Sequence, residues 1–129
     1  MKYFYTWQEF DEDIAKIAEW ARDKNFRSVY GIPRGGLVVS VALSHRLNLP
    51  LKLKREEIDE KTLIADDISD SGKTLQKLEA SLPFKPVIAT IFYHKDTTRM
   101  PNLFLREKTA WVVFPWETDV SSKYDATFN

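Results

Sequence analysis

The stretch LIADDISDSGKTL, at residues 63–75, restricts the possible fold more than any other part of the chain. It begins with three aliphatic residues, continues with the acidic pair Asp66 and Asp67, and then becomes small and polar. This order predicts a buried strand that ends in a loop. After Gly72, leucines at positions 75, 78 and 82 recur with helical spacing. The stretch therefore predicts a strand, a polar loop and a helix in succession.

The polar loop has the composition of an anion-binding turn. In an α/β sheet a strand-to-helix loop lies at the carboxyl edge, where ligands bind, and its backbone N–H groups face the ligand. Gly72 permits a close approach of the backbone. Ser71 and Thr74 supply hydroxyl donors, and Lys73 supplies a positive charge. We therefore expect a phosphate here, whereas the adjacent acids suit sugar hydroxyls or a divalent cation.

Two simpler interpretations of the same loop compete. The letters GKT at residues 72–74 also occur in nucleoside-triphosphate loops, but that pattern requires a glycine where Asp67 stands, and a carboxylate there would oppose the triphosphate. Asp70 and Ser71 could instead be helix-capping residues only. A cap explains one of those two residues, but it does not explain a buried strand that ends in two adjacent acids.

A second strand-turn-helix unit precedes the first. Residues 26–31 predict a central strand, the turn IPRGG follows, and the apolar residues from position 37 onward predict a buried helix. Gly35 and Gly36 permit a close backbone approach to an anion, and Arg34 can add a charge-assisted contact. A Gly-Gly turn alone is common. Its significance here is that it makes a second anion-binding loop.

The composition excludes several classes of function. The 129 residues predict a single domain, residues 1–129. Lysine plus arginine and aspartate plus glutamate both total 19, so there is no net basic field to attract nucleic acid. The absence of cysteine excludes disulfides and a thiol nucleophile, and two histidines are too few for a histidine metal centre. Because no signal-peptide pattern or membrane-length apolar run is present, we expect a cytoplasmic protein without a membrane partner.

The stretch at residues 63–75 resembles the phosphoribosyl diphosphate (PRPP) signature of the type I phosphoribosyltransferases. That signature is a hydrophobic strand, two acids, and then an acid followed by Thr or Ser, Gly, any residue and Thr, with Ser71 here in the place where threonine is more usual. The string GIPRGGLV resembles the pyrophosphate loop of the same family, which implies a cis peptide bond into Arg34. The resemblance implies an α/β fold with a mostly parallel, twisted sheet flanked by helices, and a small C-terminal hood at about residues 94–120.

The segment AWVVFPWE, at residues 110–117, resembles the hood of bacterial and archaeal xanthine–guanine phosphoribosyltransferases. By that likeness Trp111 stacks on a purine, Val112 reads the edge of the purine, and Glu117 matches an acid that follows the Pro-Trp pair. Lys95, at the end of the strand predicted for residues 87–93, would donate to the oxygen at position 6 of the base. From the residues alone, Lys95 could equally be a solvated lysine, and the aromatic residues could equally be core.

The resemblance implies the transfer of phosphoribose from PRPP to guanine, xanthine or hypoxanthine, with release of pyrophosphate, in purine salvage. Asp70 is the group expected to receive or direct the proton that leaves the base. Mg²⁺ is expected to bind with PRPP beside Asp66 and Asp67. The remaining PRPP contacts are expected at the two loops, and they comprise Arg34, Gly35, Gly36, Asp70, Ser71, Gly72, Lys73 and Thr74.

The connection at residues 54–61 departs from the family pattern. Type I transferases usually carry a long mobile loop here, which closes over PRPP and excludes water. The short connection leaves open a regulatory protein that binds PRPP or a nucleotide without catalysis, and a different acceptor base also stays open. By likeness to the family, a homodimer or tetramer is expected.

Overall fold

A computed structural model of the chain describes residues 1–121. The strands are β1 (Lys2–Phe4), β2 (Ser28–Gly31), β3 (Leu51–Lys52), β4 (Thr62–Ser69), β5 (Val87–Tyr93), β6 (Arg106–Glu107) and β7 (Trp111–Val113), and the helices are α1 (Trp7–Ala21), α2 (Gly35–Leu47) and α3 (Lys73–Ala80). Five parallel strands form the main sheet in the order β3-β2-β4-β5-β6, while β1 and β7 form a separate parallel pair. The expected α/β fold with a parallel sheet is confirmed. The single-domain prediction extends to residues 122–129, which lie outside the described residues.

The central strands bury both of their faces. Successive side chains of a strand point to opposite sides of the sheet. Val29 and Leu63 pack in a core shared with α1 and α2, whereas their neighbours Tyr30 and Ile64 pack in a second core with Leu75 of α3. Continuous apolar runs such as the start of β4 are typical of parallel strands covered by helices on both faces. The sheet is therefore flanked on both sides, and its carboxyl edge stays open.

Helix α1 has a defined start, and helix α2 is buried mainly on one side. α1 begins with a capping box, in which the N–H of Glu9 donates to Thr6 Oγ1 at 3.1 Å and the Thr6 N–H donates to Glu9 Oε1 at 3.0 Å. α2 buries Val39 and Leu43, but Val41 is 43% exposed. α2 is therefore buried where it packs on the sheet and on α1, and Val41 faces away from that contact. No helix within residues 1–121 has the length and apolarity needed to cross a membrane.

The hood contains a strand that the sequence did not assign to it. β7 pairs in parallel with β1, with Lys2 opposite Trp111 and Phe4 opposite Val113. β1 is therefore part of the hood and does not join the main sheet. The hood is thus assembled from segments close to both ends of the described chain.

A buried polar network fixes the hood and β6 to α1. Asp13 of α1 is 1% exposed, and it accepts hydrogen bonds from Arg106 Nε at 2.7 Å and from the hydroxyl of Tyr5. Arg106 also donates to Glu9 at 3.2 Å, and Glu9 accepts from the hydroxyl of Tyr3. Burial and the bond to Asp13 raise the pKa of Tyr5, which keeps the hydroxyl protonated as a donor. Each buried charge in this network therefore has a partner.

Candidate active site

A cleft of about 780 Å³ lies at the carboxyl edge of the main sheet. Its lining residues come from the turn between β2 and α2, from the end of β4 and the loop before α3, and from the hood. The volume falls within the range of about 300–1,000 Å³ that is typical of ligand pockets. The two loops predicted as anion sites therefore border the same cavity.

The turn between β2 and α2 packs directly on the end of β4. The peptide bond between Pro33 and Arg34 is cis, as expected. A Cβ atom on Gly35 would lie 1.9 Å from Asp67 Oδ2, so a side chain at this position would displace the carboxylate. Arg34 and Gly35 line the cleft, whereas Gly36 is buried and is not among the lining residues. Gly36 therefore belongs to the packing of the turn.

The acidic pair lies within β4 and not in the loop that follows it, because Asp66 still pairs with Thr90 of β5. The Asp66 carboxylate is buried and accepts the N–H of Asp67 at 2.8 Å. Burial raises the pKa of Asp67 to about 6 from the ordinary 3.8. A hydrogen bond with Asp66 opposes this shift, and the negative charge of Glu117 adds to it. The pair thus presents acidic oxygens at the centre of the cleft.

These acids fit a magnesium ion that arrives with a ligand. Carboxylate oxygens are hard donors of the kind that Mg²⁺ prefers. Within residues 1–121, no group of three or more metal-binding side chains is arranged to hold an ion by itself. Mg²⁺ usually retains waters and takes oxygens from substrate phosphates. Asp66 and Asp67 would therefore supply part of a coordination shell that a bound diphosphate completes.

The loop before α3 is supported by the turn that follows β5. Gly72 has a φ of +89°, and a Cβ atom there would lie 2.6 Å from the backbone nitrogen of Arg99. The backbone N–H and the hydroxyl of Thr98 both donate to the Ser71 carbonyl at 2.9 Å. The loop is therefore held by close backbone contacts that only glycine allows at its centre.

The predicted phosphate-loop residues do not all face the cavity. Four of them line the cleft, and these are Asp70, Ser71, Gly72 and Thr74. Lys73 is exposed and is not among the lining residues. Gly72 is the N-cap residue of α3 and has no side chain that could bond the first N–H groups of the helix. The N–H of Lys73 donates to the hydroxyl of Ser71 at 3.3 Å, and the N–H groups that follow it are suited to an anion.

Lys108 is a cleft residue that the sequence reasoning missed. Its ammonium lies 2.8 Å from Asp70 Oδ2 and 5.0 Å from the centroid of the Trp111 ring, and its side chain is only 17% exposed. The residue follows β6 by one position and precedes Trp111 by three. The position of Lys108 three residues before Trp111 is visible in the sequence. It indicates a cleft residue only once β6 and β7 are known to flank the cleft.

Lys95, which was predicted to read the base, lies in the turn that follows β5, and its role stays a prediction. The residue is exposed and is not among the lining residues. The chain turns immediately after β5, where the N–H of Thr97 donates to the His94 carbonyl at 3.0 Å. This turn leaves Lys95 in solvent. Lys108 lies beside Trp111.

The aromatic residues of the hood that line the cleft differ in how deeply they are buried. Trp111 lines the cleft and is 41% exposed, whereas Val112 lines it and is 7% exposed. Phe114 is buried, and Trp116 stacks on it with ring centroids 4.9 Å apart. All three aromatic residues line the cleft, and Trp111 presents the most exposed of their rings to it.

A parallel α/β sheet, two ligand loops at its carboxyl edge and an aromatic hood over one cleft define a phosphoribosyltransferase fold. No family model matches the chain. The xanthine-guanine phosphoribosyltransferase of Desulfotalea psychrophila is 26% identical over 140 residues, which cover 91% of this chain and 87% of that protein. The crystal structure of a purine phosphoribosyltransferase from Pyrococcus horikoshii matches with a TM-score of 0.79 and 28% identity, covering 95% of this chain and 99% of that one.

A xanthine-guanine-hypoxanthine phosphoribosyltransferase from Helicobacter pylori has the same fold, with a TM-score of 0.79 and 21% identity over 92% of this chain and 95% of that one. Relatives by sequence and neighbours by structure thus agree on one family. The resemblance to the type I phosphoribosyltransferases that was noted in the sequence is confirmed by these similarities.

Proposed function

We propose that the protein transfers the phosphoribosyl group of PRPP to a 6-oxopurine base and releases pyrophosphate. The observation that carries this proposal is the shared cleft, in which both anion loops and the aromatic hood face one cavity. The names of the relatives support it, because those proteins are xanthine-guanine and purine phosphoribosyltransferases.

PRPP would lie along the two loops. Its 5-phosphate would accept N–H groups at the start of α3 and the hydroxyls of Ser71 and Thr74, while the exposed Lys73 adds positive charge at the rim. The ribose hydroxyls would bond to Asp66 and Asp67. The pyrophosphate would lie against Arg34, Gly35 and the turn that Gly36 supports. Mg²⁺, when bound beside the acids, would neutralise charge on the leaving pyrophosphate.

The base would stack on Trp111, with the backbone of Val112 at its edge. The bond between the ribose carbon and the pyrophosphate oxygen breaks, a bond from the base nitrogen to that carbon forms, and the ring proton passes to Asp70. The pyrophosphate leaves with the bonding electron pair. No covalent enzyme intermediate is needed, because the cleft contributes positioning and charge stabilisation.

Pyrophosphate release tests this proposal directly. The protein is incubated with PRPP and Mg²⁺ in the presence of guanine, xanthine, hypoxanthine, adenine or uracil, and the nucleotide product is identified by chromatography. We expect release with at least one 6-oxopurine and none after chelation of the metal. The absence of release with every base would contradict the proposal.

A regulatory protein that binds PRPP without catalysis is the second candidate. The observation in its favour is the connection between β3 and β4, which contains one 3₁₀ turn, Arg55–Glu57, in place of a long covering loop. On this alternative, calorimetry would detect binding of PRPP with Mg²⁺ in a protein that releases no pyrophosphate with any base. Transfer at any measurable rate that Asp70→Asn abolishes would exclude it.

The expected cytoplasmic homodimer or tetramer remains part of the proposal. Exposed aromatic side chains near the hood, Trp7 at 53% and Phe4 at 59%, are of the kind that subunit contacts bury. Light scattering coupled to size-exclusion chromatography would determine the number of subunits.

A further inference from the structure

Arg99 lies in the turn that follows β5, behind the loop that precedes α3. It is not among the residues that line the cleft, and its side chain is only 14% exposed. A Cβ atom on Gly72 would lie 2.6 Å from the backbone nitrogen of Arg99. The Arg99 carbonyl accepts a hydrogen bond from the hydroxyl of Ser69, at the end of β4, at 2.8 Å. The backbone of Arg99 therefore packs against the segment that leads into α3.

The side chain of Arg99 contacts the opposite end of α3. Its Nε donates to the carboxylate of Glu79, in the last turn of the helix, and the Glu79 side chain is 30% exposed. The other guanidinium nitrogens donate to the carbonyl oxygens of Met100 and of Pro86, which immediately precedes β5. The planar guanidinium can make these contacts together because its donors point in fixed directions. One residue therefore contacts both ends of α3.

The orientation of α3 depends on tertiary contacts of this kind. The helix has eight residues, Lys73–Ala80, and a helix this short is marginal by itself. Leu75 and Leu78 bury one side of it in a core with Ile64 of β4. Apolar packing has no preferred direction, whereas a hydrogen-bonded ion pair restricts both the distance and the angle between its partners. The pair of Arg99 with Glu79 therefore restricts the tilt of α3 more than the leucines alone do.

The tilt of α3 determines where the N–H groups at its start point. Eight helical residues form a unit about 12 Å long, so a displacement of the Glu79 end changes the direction of the donors at the Thr74 end. A hydrogen bond weakens steeply as its donor angle departs from linear. Ser71 and Thr74 line the cleft, and their positions relative to a bound phosphate would change with the tilt.

We propose that Arg99 is a positioning residue for phosphate binding, which acts through its pair with Glu79 to hold α3 and the preceding loop in the orientation that binds the 5-phosphate of PRPP. The inference rests on the proposed function, since the phosphate belongs to that substrate. Asp70, in the same loop, has a restraint of its own, the ion pair with Lys108 at 2.8 Å. Loss of Arg99 should therefore weaken phosphate binding more than it slows the reaction of bound PRPP.

The test compares Arg99→Met, which removes the guanidinium but keeps an unbranched chain, with Arg46→Met, which breaks the exposed ion pair with Asp11. Steady-state assays with a 6-oxopurine give kcat and KM for PRPP, and isothermal titration measures the binding of ribose 5-phosphate and of pyrophosphate with Mg²⁺. We expect Arg99→Met to raise KM for PRPP and Kd for ribose 5-phosphate by roughly 10-fold, about the value of one hydrogen bond to a charged group. Its kcat and its Kd for pyrophosphate should change less than about 3-fold. Arg46→Met should match wild type in all four quantities.

A purely structural role of Arg99 predicts a different pattern. Urea denaturation measures the free energy of unfolding of each variant, and binding is measured at a temperature at which every variant is folded. If Arg99 only stabilised the fold, folded Arg99→Met would bind ribose 5-phosphate as wild type does, and that result would overturn the inference. An equal loss of affinity for pyrophosphate would also overturn it, because pyrophosphate is expected at the other loop. Arg99→Lys, which keeps a cation opposite Glu79, should recover part of the lost affinity.

Glu79→Gln tests the same pair from the other side and decides the question if Arg99→Met does not fold. It should show the same selective loss of ribose 5-phosphate binding, and wild-type affinity would count against the inference while phosphoribosyl transfer remains intact. If wild type itself binds neither PRPP nor ribose 5-phosphate and releases no pyrophosphate, the proposed function fails, and the inference fails with it.

Discussion

The two sides of the cleft are built by different means. The sheet side consists of the two glycine-containing loops, in which backbone packs against backbone and against the end of β4: Gly35 contacts Asp67, and Gly72 contacts the turn at residues 97–99. The hood side consists of the short strands β1 and β7. Side chains hold it to the core, through the charges of Asp13 and Arg106 and through aromatic packing.

This difference separates the expected effects of substitutions. On the sheet side the groups that would touch a phosphate are mainly backbone N–H groups, so the important side chains are the acids around them. On the hood side, side chains both hold the hood to the core and form the surface that would contact the base. Changes on the sheet side should therefore affect PRPP chemistry, whereas changes on the hood side should affect stability and base binding.

The largest effect is expected at Asp70. Replacing it by asparagine removes the proton acceptor but keeps the size of the side chain, so kcat should fall by about 10²- to 10⁴-fold. The affinity for PRPP should change by no more than a few fold, because the loop backbone stays in place. Steady-state kinetics with titration calorimetry measures both quantities. Equal losses in turnover and in PRPP affinity would contradict the role of Asp70.

Breaking the hood network should give the largest change in stability. Asp13→Ala removes the buried carboxylate that accepts from Arg106 and from the hydroxyl of Tyr5, and leaving that hydroxyl unpaired typically costs about 1–3 kcal/mol. Asp11→Ala is the matched control on the same helix, since the pair of Asp11 with Arg46 is largely exposed and is worth about 0–1 kcal/mol. Urea denaturation measures both. Similar losses for the two variants would show that the buried network does not fix the hood.

Much of the sheet side could be predicted from the sequence, because it depends on local patterns. The apolar start of β4, the small residues of the loop and the spacing of Leu75 and Leu78 specify a strand, a turn and a helix without distant contacts. The predicted end of β4 was wrong, because that end is set by a tertiary contact. β4 extends through Asp66 and Asp67 because β5 pairs with it that far, and hydropathy alone ends the strand too early.

The hood side could not be predicted in the same way. β1, β6 and β7 have two or three residues each, too few for a periodic signal, and the pairing of β1 with β7 joins segments about a hundred residues apart. The position of Lys108 in the cleft depends on the turn after β5 and on the path of β6. Both are set by packing, including the ion pair of Arg106 with Asp13, which no local pattern reveals.

Removing the aromatic face of the hood should weaken base binding alone. Trp111→Ala removes a stacking surface worth about 1–3 kcal/mol per base, so KM for the base should rise by roughly 5- to 160-fold. KM for PRPP should change little, because the sheet side is untouched. Trp111→Phe, which retains an aromatic face, should recover most of the loss. A comparable rise in KM for PRPP would indicate that the two sides are not independent.

Asp67, on the sheet side of the cleft, should reduce the free energy of unfolding at neutral pH. The pKa of Asp67 is about 6 in the folded protein, above its ordinary 3.8, so the folded state binds this proton more tightly. Stability therefore falls as pH rises between about 4 and 6, and the cost is fully present above 6. Asp67→Asn should gain about 1–2 kcal/mol at pH 7 and little at pH 4. Urea denaturation of the wild-type protein and of Asp67→Asn in metal-free buffer measures this gain in stability. An equal gain at both pH values would show that the raised pKa of Asp67 is not its cause.

The smallest effect is expected from Thr98→Val. The substitution removes the hydroxyl that donates to the Ser71 carbonyl but keeps the backbone N–H that donates to the same oxygen. If the loop before α3 is held mainly by backbone contacts, the loss should be about 0.5–1 kcal/mol of stability, with less than about a 5-fold change in PRPP affinity. Gly72→Ala is the contrasting change, since its Cβ atom would approach the backbone nitrogen of Arg99 to 2.6 Å. If calorimetry and denaturation found Thr98→Val as damaging as Gly72→Ala, side chains would hold this loop as they hold the hood, and the two sides of the cleft would not differ in construction.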